Sequence, residues 1–421
     1  PCLRREMRWR ASLVLSAAVF RAGARGMAYH STEVISKVVS VALGGQQTPV
    51  SVVHHRSKPR VVGGLAVTEH TFEVPLSYDA PDEGERISVF VREVEKAEGM
   101  LKTPESALST TTTASRDEKK TTKPLLYLQG GPGFESPRVS IPPTGWQQRA
   151  LDKNYRLLLL DQRGTGRSTP ATASSILARG DAAAQAAYVR NFRPREIVDD
   201  CEVVRACLLG HDDQADEGDE DDTASKKKKE PTTKLTLLGQ SFGGFCVLAY
   251  LSRYPGAIER ALLTCGLAPV GVSADDVYDA TFRRMEARCA RFYRRYPEDV
   301  DLVRRLARGL DPRAGGRPRK LPRGGVLTPR RFLQLGLLLG SADGMETLHH
   351  LLEHARRHDT PPGGSDKDDD DALFSPEFLL RVERAQEAFE TNPIYFLLHE
   401  SIYACAATTP ARDNDDDDAK D

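Results

Sequence analysis

No C-x-x-C pair occurs anywhere in the 421 residues. The seven cysteines (Cys2, Cys201, Cys207, Cys246, Cys265, Cys289 and Cys405) are scattered and odd in number. That argues against a zinc knuckle or a disulfide framework and suits buried thiols in a reducing compartment. An excess of charge of one sign is also lacking: 59 Lys and Arg stand against 60 Asp and Glu, a net charge of −1. Global charge therefore gives no reason to expect a nucleic-acid or membrane partner. The apolar stretch Ala11–Phe20 has only ten residues, well short of the ~20 a bilayer-spanning helix needs. An initial Met is lacking too, since the first residue is Pro1. Met7–His30 is basic and free of acids. It reads as a signal-peptide core or a mitochondrial presequence, or else translation starts at Met27. A cytoplasmic location is expected, or a mitochondrial or secreted one if that segment is a targeting signal.

What is present is organised around Lys234–Gly244, K-L-T-L-L-G-Q-S-F-G-G. Leu235, Leu237 and Leu238 fit a short buried strand. A G-x-S-x-G pentapeptide, Gly239 to Gly243, follows, and then a stretch of helical composition that ends at Tyr254-Pro255. Strand, sharp turn and helix together make a nucleophile elbow, which strains the backbone of Ser241 and presents its hydroxyl above the sheet. Gly239 and Gly243 remove β-carbons where strand and helix approach.

Elsewhere, residues 27–60 carry little pattern. Thr68–Tyr78 and Arg86–Val94 alternate apolar with polar and predict an antiparallel hairpin. Lys96–Thr122 is a polar insertion. Pro124–Gln129 predicts a strand running into Gly130-Gly-Pro-Gly133, and Tyr155–Asp161 another, of the buried parallel kind. Arg195–Leu209 fits an amphipathic helix, and His211–Thr233 is an acidic block with a Lys226–Lys229 run, a neutralised surface linker. Glu259–Cys265 is the next strand. Strands alternating with helices imply a mostly parallel α/β sheet covered on both faces. From Asp275 helical patterns take over, interrupted by Pro/Gly/Arg-rich and Asp-rich loops.

Serine acyl transfer needs a base, a partner that orients the base, and donors for the oxyanion. The backbone N–H of Phe242 supplies one donor and the turn after Gln129 the other, at Gly131, because Pro132 has no N–H. Q-G-G-P-G-F-E (Gln129–Glu135), D-Q-R-G-T-G-R-S (Asp161–Ser168) and G-Q-S-F-G-G (Gly239–Gly244) occur in that order before a helical segment. Together they resemble the prolyl iminopeptidases, serine aminopeptidases of the α/β-hydrolase fold. The resemblance runs from about Val61 to Ala407.

It implies an α/β-hydrolase core over 61–270, with insertions near 96–122 and 211–233. It also implies a helical cap over 271–407, flanked by an N-terminal extension 1–60 and an acidic tail 408–421. The implied reaction is release of N-terminal proline from peptides with a free N-terminus, through an acyl-enzyme on Ser241 and without a cofactor. Asp161–Ser168 shapes the turn beside the oxyanion loop, with Asp161 and Arg163 expected to pair. Glu400, in Asn392–Tyr403, matches the family's glutamate for the substrate ammonium, and Glu135 is a second candidate.

The family's triad Asp and His follow the cap, and no counterpart was found in this sequence. No His follows His399, and the other late histidines (His349, His350, His354, His358) lie on helical patterns. The final strands of the sheet are accordingly expected to be missing. The chain alone is expected to be poorly soluble and inactive, with Glu259–Cys265 an exposed edge. The alternatives are a catalytically dead hydrolase remnant that binds a partner, and a zinc peptidase using His350-x-x-Glu353-His354, the H-x-x-E-H pattern, with His358 on the same face.

Overall fold

The computed structural model describes residues 32–82, 84–97, 122–210, 233–355 and 373–403. Expectations for the basic leader, the insertion beyond residue 97, the block at 211–232, His358, the Asp-rich loop before residue 373 and everything from 404 lie outside these residues. The chain divides into two compact units, Pro1–Pro170 with Pro194–Gly266, and Ala171–Arg193 with Leu267–Asp421.

The first unit is built on a nine-stranded sheet. Its strands are β1 (Glu33–Leu43), β2 (Gln46–Arg56), β3 (Arg60–Val62), β4 (Leu65–Pro75), β5 (Arg86–Lys96), β6 (Lys123–Leu128), β7 (Tyr155–Asp161), β8 (Leu235–Gln240) and β9 (Ile258–Thr264). Their order is β1-β2-β4-β5-β7-β6-β8-β9, with β3 beside β4. Pairing is antiparallel from β1 to β7 and parallel across β7-β6-β8-β9. The predicted hairpin is β4–β5, in register from Leu65↔Lys96 to Pro75↔Arg86.

Two further strands correct the expectation of little pattern before residue 60. β1 and β2 pair over their full length across Gly44-Gly45 and join the sheet through β4. The alternation is blurred because Val38 and Val39 are adjacent and apolar, yet Val38 stays 65% exposed while Val39 is buried. At the other end β9 pairs with β8 alone among the described strands, and Leu262 is 47% exposed.

Alternation along β6 and β7 decides what each face of the sheet packs against. Leu125, Tyr127, Leu157 and Leu159 pack with Ala150 and Leu151 of the helix Gly145–Asp152. The intervening Leu126, Leu128, Leu158 and Leu160 are equally buried and point to the opposite face. The helices Pro194–Leu209 and Phe242–Arg253 pack on each other, the first also on β1 and the second on β6, β8 and β9.

The first of these helices carries three buried acids, each held by an arginine and a tyrosine. Asp199 binds Arg253 and Tyr254, Asp200 binds Arg163 and Tyr78, and Glu202 binds Arg205 and Tyr250. Carboxylates so placed require such partners, because an unpaired buried charge is costly.

A buried polar chain crosses the antiparallel half. His54 Nε2 lies 2.9 Å from His70 Nδ1, and His70 Nε2 lies 2.9 Å from the Glu93 carboxylate, which Arg156 also meets at 3.2 Å. With Glu93 as acceptor, His70 donates from Nε2 and accepts from His54. His54 is 2% exposed and its Nδ1 has no hydrogen-bond partner among the described residues. Burial first, and then the positive charge that His70 carries when protonated, lowers the His54 pKa to about 3. Lys37, Arg56 and His55 face it with the same sign. The folded value lies below the unfolded 6.5, so between the two the unfolded chain binds the extra proton and stability falls as pH falls. Urea midpoints are expected to drop from pH 7 to pH 4, and less steeply in His54→Phe. An equal drop in the variant would remove His54 as the cause.

The second unit is helical in its described part. Ala274–Arg295, Asp299–Leu310, Gly344–Glu353 and Pro376–Ala385 are its main helices, with one short pairing of Arg319–Lys320 against Val326–Leu327. Phe292, Leu306, Leu310, Phe332, Leu352 and Phe378 form its core. Ser273 and Asp276 make a capping box at the start of the longest helix.

Candidate active site

β8 ends at Gln240 and the next helix begins at Phe242, leaving Ser241 alone at the turn with φ 54° and ψ −121°. Few non-glycine residues adopt such a backbone, and it persists only where surrounding structure enforces it. Here the Ser241 N–H donates to the carbonyl of Thr264 at 2.9 Å, and its own carbonyl accepts from Gly244 N–H at 2.8 Å. The Thr264 hydroxyl donates to the carbonyl of Gly239 at 3.2 Å. Close approach explains Gly243: a β-carbon there would collide with the carbonyl of Leu128 at the end of β6. One on Gly239 would stand 2.6 Å from the carbonyl carbon of Gly243. The elbow therefore has the backbone that the pentapeptide predicts.

The turn after β6 lies against it. A β-carbon on Gly130 would stand 2.9 Å from Ser241 Cβ and 3.6 Å from its Oγ. The Gly130 backbone thus passes beside the Ser241 side chain, where only glycine leaves room. Gly131 has φ 125°. Phe242 is the first residue of the elbow helix, where N–H groups have no partner within the helix and a partial positive charge accumulates.

Asp161 and Arg163 do not pair, contrary to expectation. The fully buried Asp161 accepts from both Arg138 Nη atoms at 2.9 Å and from the N–H groups of Ser136 and Arg167. Four donors fill its lone-pair sites and leave no capacity for Arg163. Arg163 instead reaches Asp200 through Nε and Nη2 at 2.7 and 2.6 Å. Burial opposes its charge, but the Asp200 carboxylate outweighs that and raises its pKa. Arg138 stands outside the three motifs, so nothing local in the sequence marks it as the partner of Asp161.

The remaining candidates belong to both units. Glu135 is exposed and 3.8 Å from Arg138. Glu400 is exposed in a short 3-10 turn of the second unit, beside Tyr278, whose hydroxyl pKa is raised by burial and then by Glu400. His349 Nδ1 donates to the carboxylate of the buried Asp299 at 2.8 Å, and His349 is 3.4 Å from Glu353 and stacks on Tyr296. His354 lies 3.5 Å from Glu377, and His350 is exposed. Glu353 and His354 of the H-x-x-E-H pattern thus face separate partners. No group of three His, Cys, Asp or Glu among the described residues could hold a metal ion. Half-buried His399 sits between Tyr395 and Tyr403, its pKa lowered by burial. No helix among the described residues is long and apolar enough to cross a membrane.

The sequence profile of the α/β-hydrolase fold family matches residues 123–307. The chain is 37% identical over 350 residues to a proline iminopeptidase of Aeromonas sobria, covering 83% of this chain and 68% of that one. It is 32% identical over 342 residues to a proline iminopeptidase of Aspergillus aculeatus, covering 81% and 64% respectively. The chain thus spans about two thirds of the length of these relatives. Among solved structures, the 2-hydroxy-6-oxo-6-phenylhexa-2,4-dienoate hydrolase of Rhodococcus is similar over 58% of this chain and 50% of that one, at 12% identity and a TM-score of 0.24. With the strained serine at a strand-to-helix turn and the glycine turn beside it, the sequence likeness places this chain in the proline iminopeptidase family of the α/β-hydrolase fold.

Proposed function

We propose that the protein is a serine aminopeptidase that removes N-terminal proline from peptides. The observation that carries this reading is Ser241 at φ 54°, with Gly130 against its side chain. Ser241 Oγ attacks the carbonyl carbon of the first residue and loses its proton to a base. The tetrahedral oxyanion is held by the N–H groups of Phe242 and Gly131. The C–N bond breaks, the peptide amine leaves with a proton, and water hydrolyses the acyl-enzyme to free proline. No residue of this chain is assigned as the base or its orienting carboxylate.

Prolyl-aminomethylcoumarin turnover and binding of pyrrolidine-2-boronic acid test the proposal together. Turnover supports the full reading. Boronate binding without turnover supports the elbow and its oxyanion donors in a chain that lacks a working base. Absence of both overturns the enzymatic reading and favours a non-catalytic hydrolase remnant.

Glu400 is proposed to meet the substrate ammonium, with Glu135 the weaker candidate because Arg138 already lies beside it. Glu400 is exposed, so its attraction is screened. Glu400→Gln is expected to lower kcat/KM, or boronate affinity in the absence of turnover, by about tenfold. The N-acetylated substrate should be poor for the unaltered protein. Equal handling of free and acetylated forms would remove Glu400 from this role.

A further inference from the structure

The hydrogen bonds around Gln129 join the two halves of the site. β6 and β8 run parallel in register through Leu128↔Gly239 and then separate, one into the Gly130–Gly131 turn and the other into the elbow. Gln129 and Gln240 are the last residues before that fork. A Gly-Gly turn has no side chain to hold it, and its backbone is free to sample many conformations. An oxyanion donor must nevertheless stand in place before the charge develops.

Both ends of Gln129 are held. Its carbonyl accepts from Gln162 Nε2 at 3.1 Å, and its side-chain Oε1 accepts from the Tyr127 hydroxyl at 2.8 Å. Gln162 is itself anchored, since its carbonyl accepts from the Thr165 N–H at 3.0 Å and hydroxyl at 2.7 Å, and it is 1% exposed. Tyr127 stacks on Trp146, with ring centroids 4.7 Å apart, and its hydroxyl also lies 3.2 Å from Gln240 Oε1. One hydroxyl has one proton, so with Gln129 as its acceptor the Gln240 amide completes the contact by turning its N–H group toward the tyrosine oxygen. Burial raises the Tyr127 pKa and keeps the hydroxyl a neutral donor.

We propose that Gln162 and Tyr127 are positioning residues that lock Gln129 at two points, and through it fix the Gly130–Gly131 turn against Ser241. The peptide unit is planar, so anchoring the Gln129 carbonyl sets the direction of the Gly130 N–H and the start of the turn. The Tyr127 bridge to Gln240 holds that turn and the elbow at one spacing. This assignment rests on the serine hydrolase reading.

Gln162→Met and Tyr127→Phe keep size and remove one lock each. Each is expected to weaken pyrrolidine-2-boronic acid, or to lower kcat with KM unchanged, by about 10- to 100-fold. The double variant should lose less than the product of the two, because both locks act on Gln129. Amide hydrogen exchange across residues 130–134 should quicken in each variant while the urea midpoint stays the same. Boronate affinity, kcat and exchange all within twofold of the unaltered protein would overturn the proposal. So would a KM-only change. If the unaltered protein neither binds the boronate nor turns over substrate, the hydrolase reading fails on its own. The exchange measurement then decides the lock, with unchanged exchange overturning it.

Discussion

Ser241→Ala should abolish turnover, by roughly 10⁴-fold or more, in any preparation that hydrolyses a prolyl substrate, because no other group can replace the nucleophile. Boronate binding should be lost with it, since the adduct forms on Oγ. The fold should survive, because the elbow is held by main-chain bonds from Thr264 and Gly244 that alanine keeps. Ser241→Gly gives a sharper test of the geometry. At φ 54° a residue with a β-carbon stores about 1–3 kcal/mol of strain. Glycine relieves that strain, partly offset by the entropy of a freer unfolded chain. The glycine variant should be as inactive as the alanine variant, yet unfold at an equal or higher urea concentration. An alanine variant that kept most of its rate would dismiss Ser241 as nucleophile. A glycine variant clearly less stable than the alanine variant would dismiss the strain.

Arg163→Met should cost about 3–5 kcal/mol of stability, the magnitude expected when one partner of a buried ion pair is removed. Arg163 and Asp200 are each about 1% exposed. The guanidinium also donates to the carbonyls of Leu76 and Pro75, at 2.7 and 3.2 Å, so it ties the end of β4 to the helix Pro194–Leu209. Among the described residues, methionine would leave the Asp200 carboxylate only the Tyr78 hydroxyl, which donates to it at 2.7 Å. Replacing both partners, Arg163→Met with Asp200→Leu, should recover much of the loss, because no charge is then stranded. Urea unfolding followed by circular dichroism measures all three proteins. A single variant within 1 kcal/mol of the starting protein would show that the pair carries little of the fold's stability.

The parts of the molecule legible in the sequence are those written in local patterns. Leu235–Gly243 encodes strand, strained serine and helix within a few residues, because the sterics of that turn act between neighbours. The β4–β5 hairpin was legible for the same reason, since period-two alternation reports on one strand at a time. β1 and β2 are not legible in the sequence because Val38 is apolar and exposed beside buried Val39, so the alternation that marks a half-buried strand is interrupted. Glu353 and His354 illustrate the opposite failure: a spacing that suits zinc on paper becomes contacts with His349 and Glu377 once neighbouring side chains are present.

By itself, the order of three short motifs and the alternation of apolar segments determined the α/β class, the family and the place of Ser241. Only the tertiary structure decided that Asp161 is held by Arg138, 23 residues away, and Arg163 by Asp200, 37 residues away. It alone set Gly130 against the serine, and Tyr127 between the side chains of Gln129 and Gln240. The physical reason is that strand and turn propensities are short-range, whereas a buried charge or amide takes whatever partner the sheet register brings within hydrogen-bonding distance. That register depends on the packing of the whole unit.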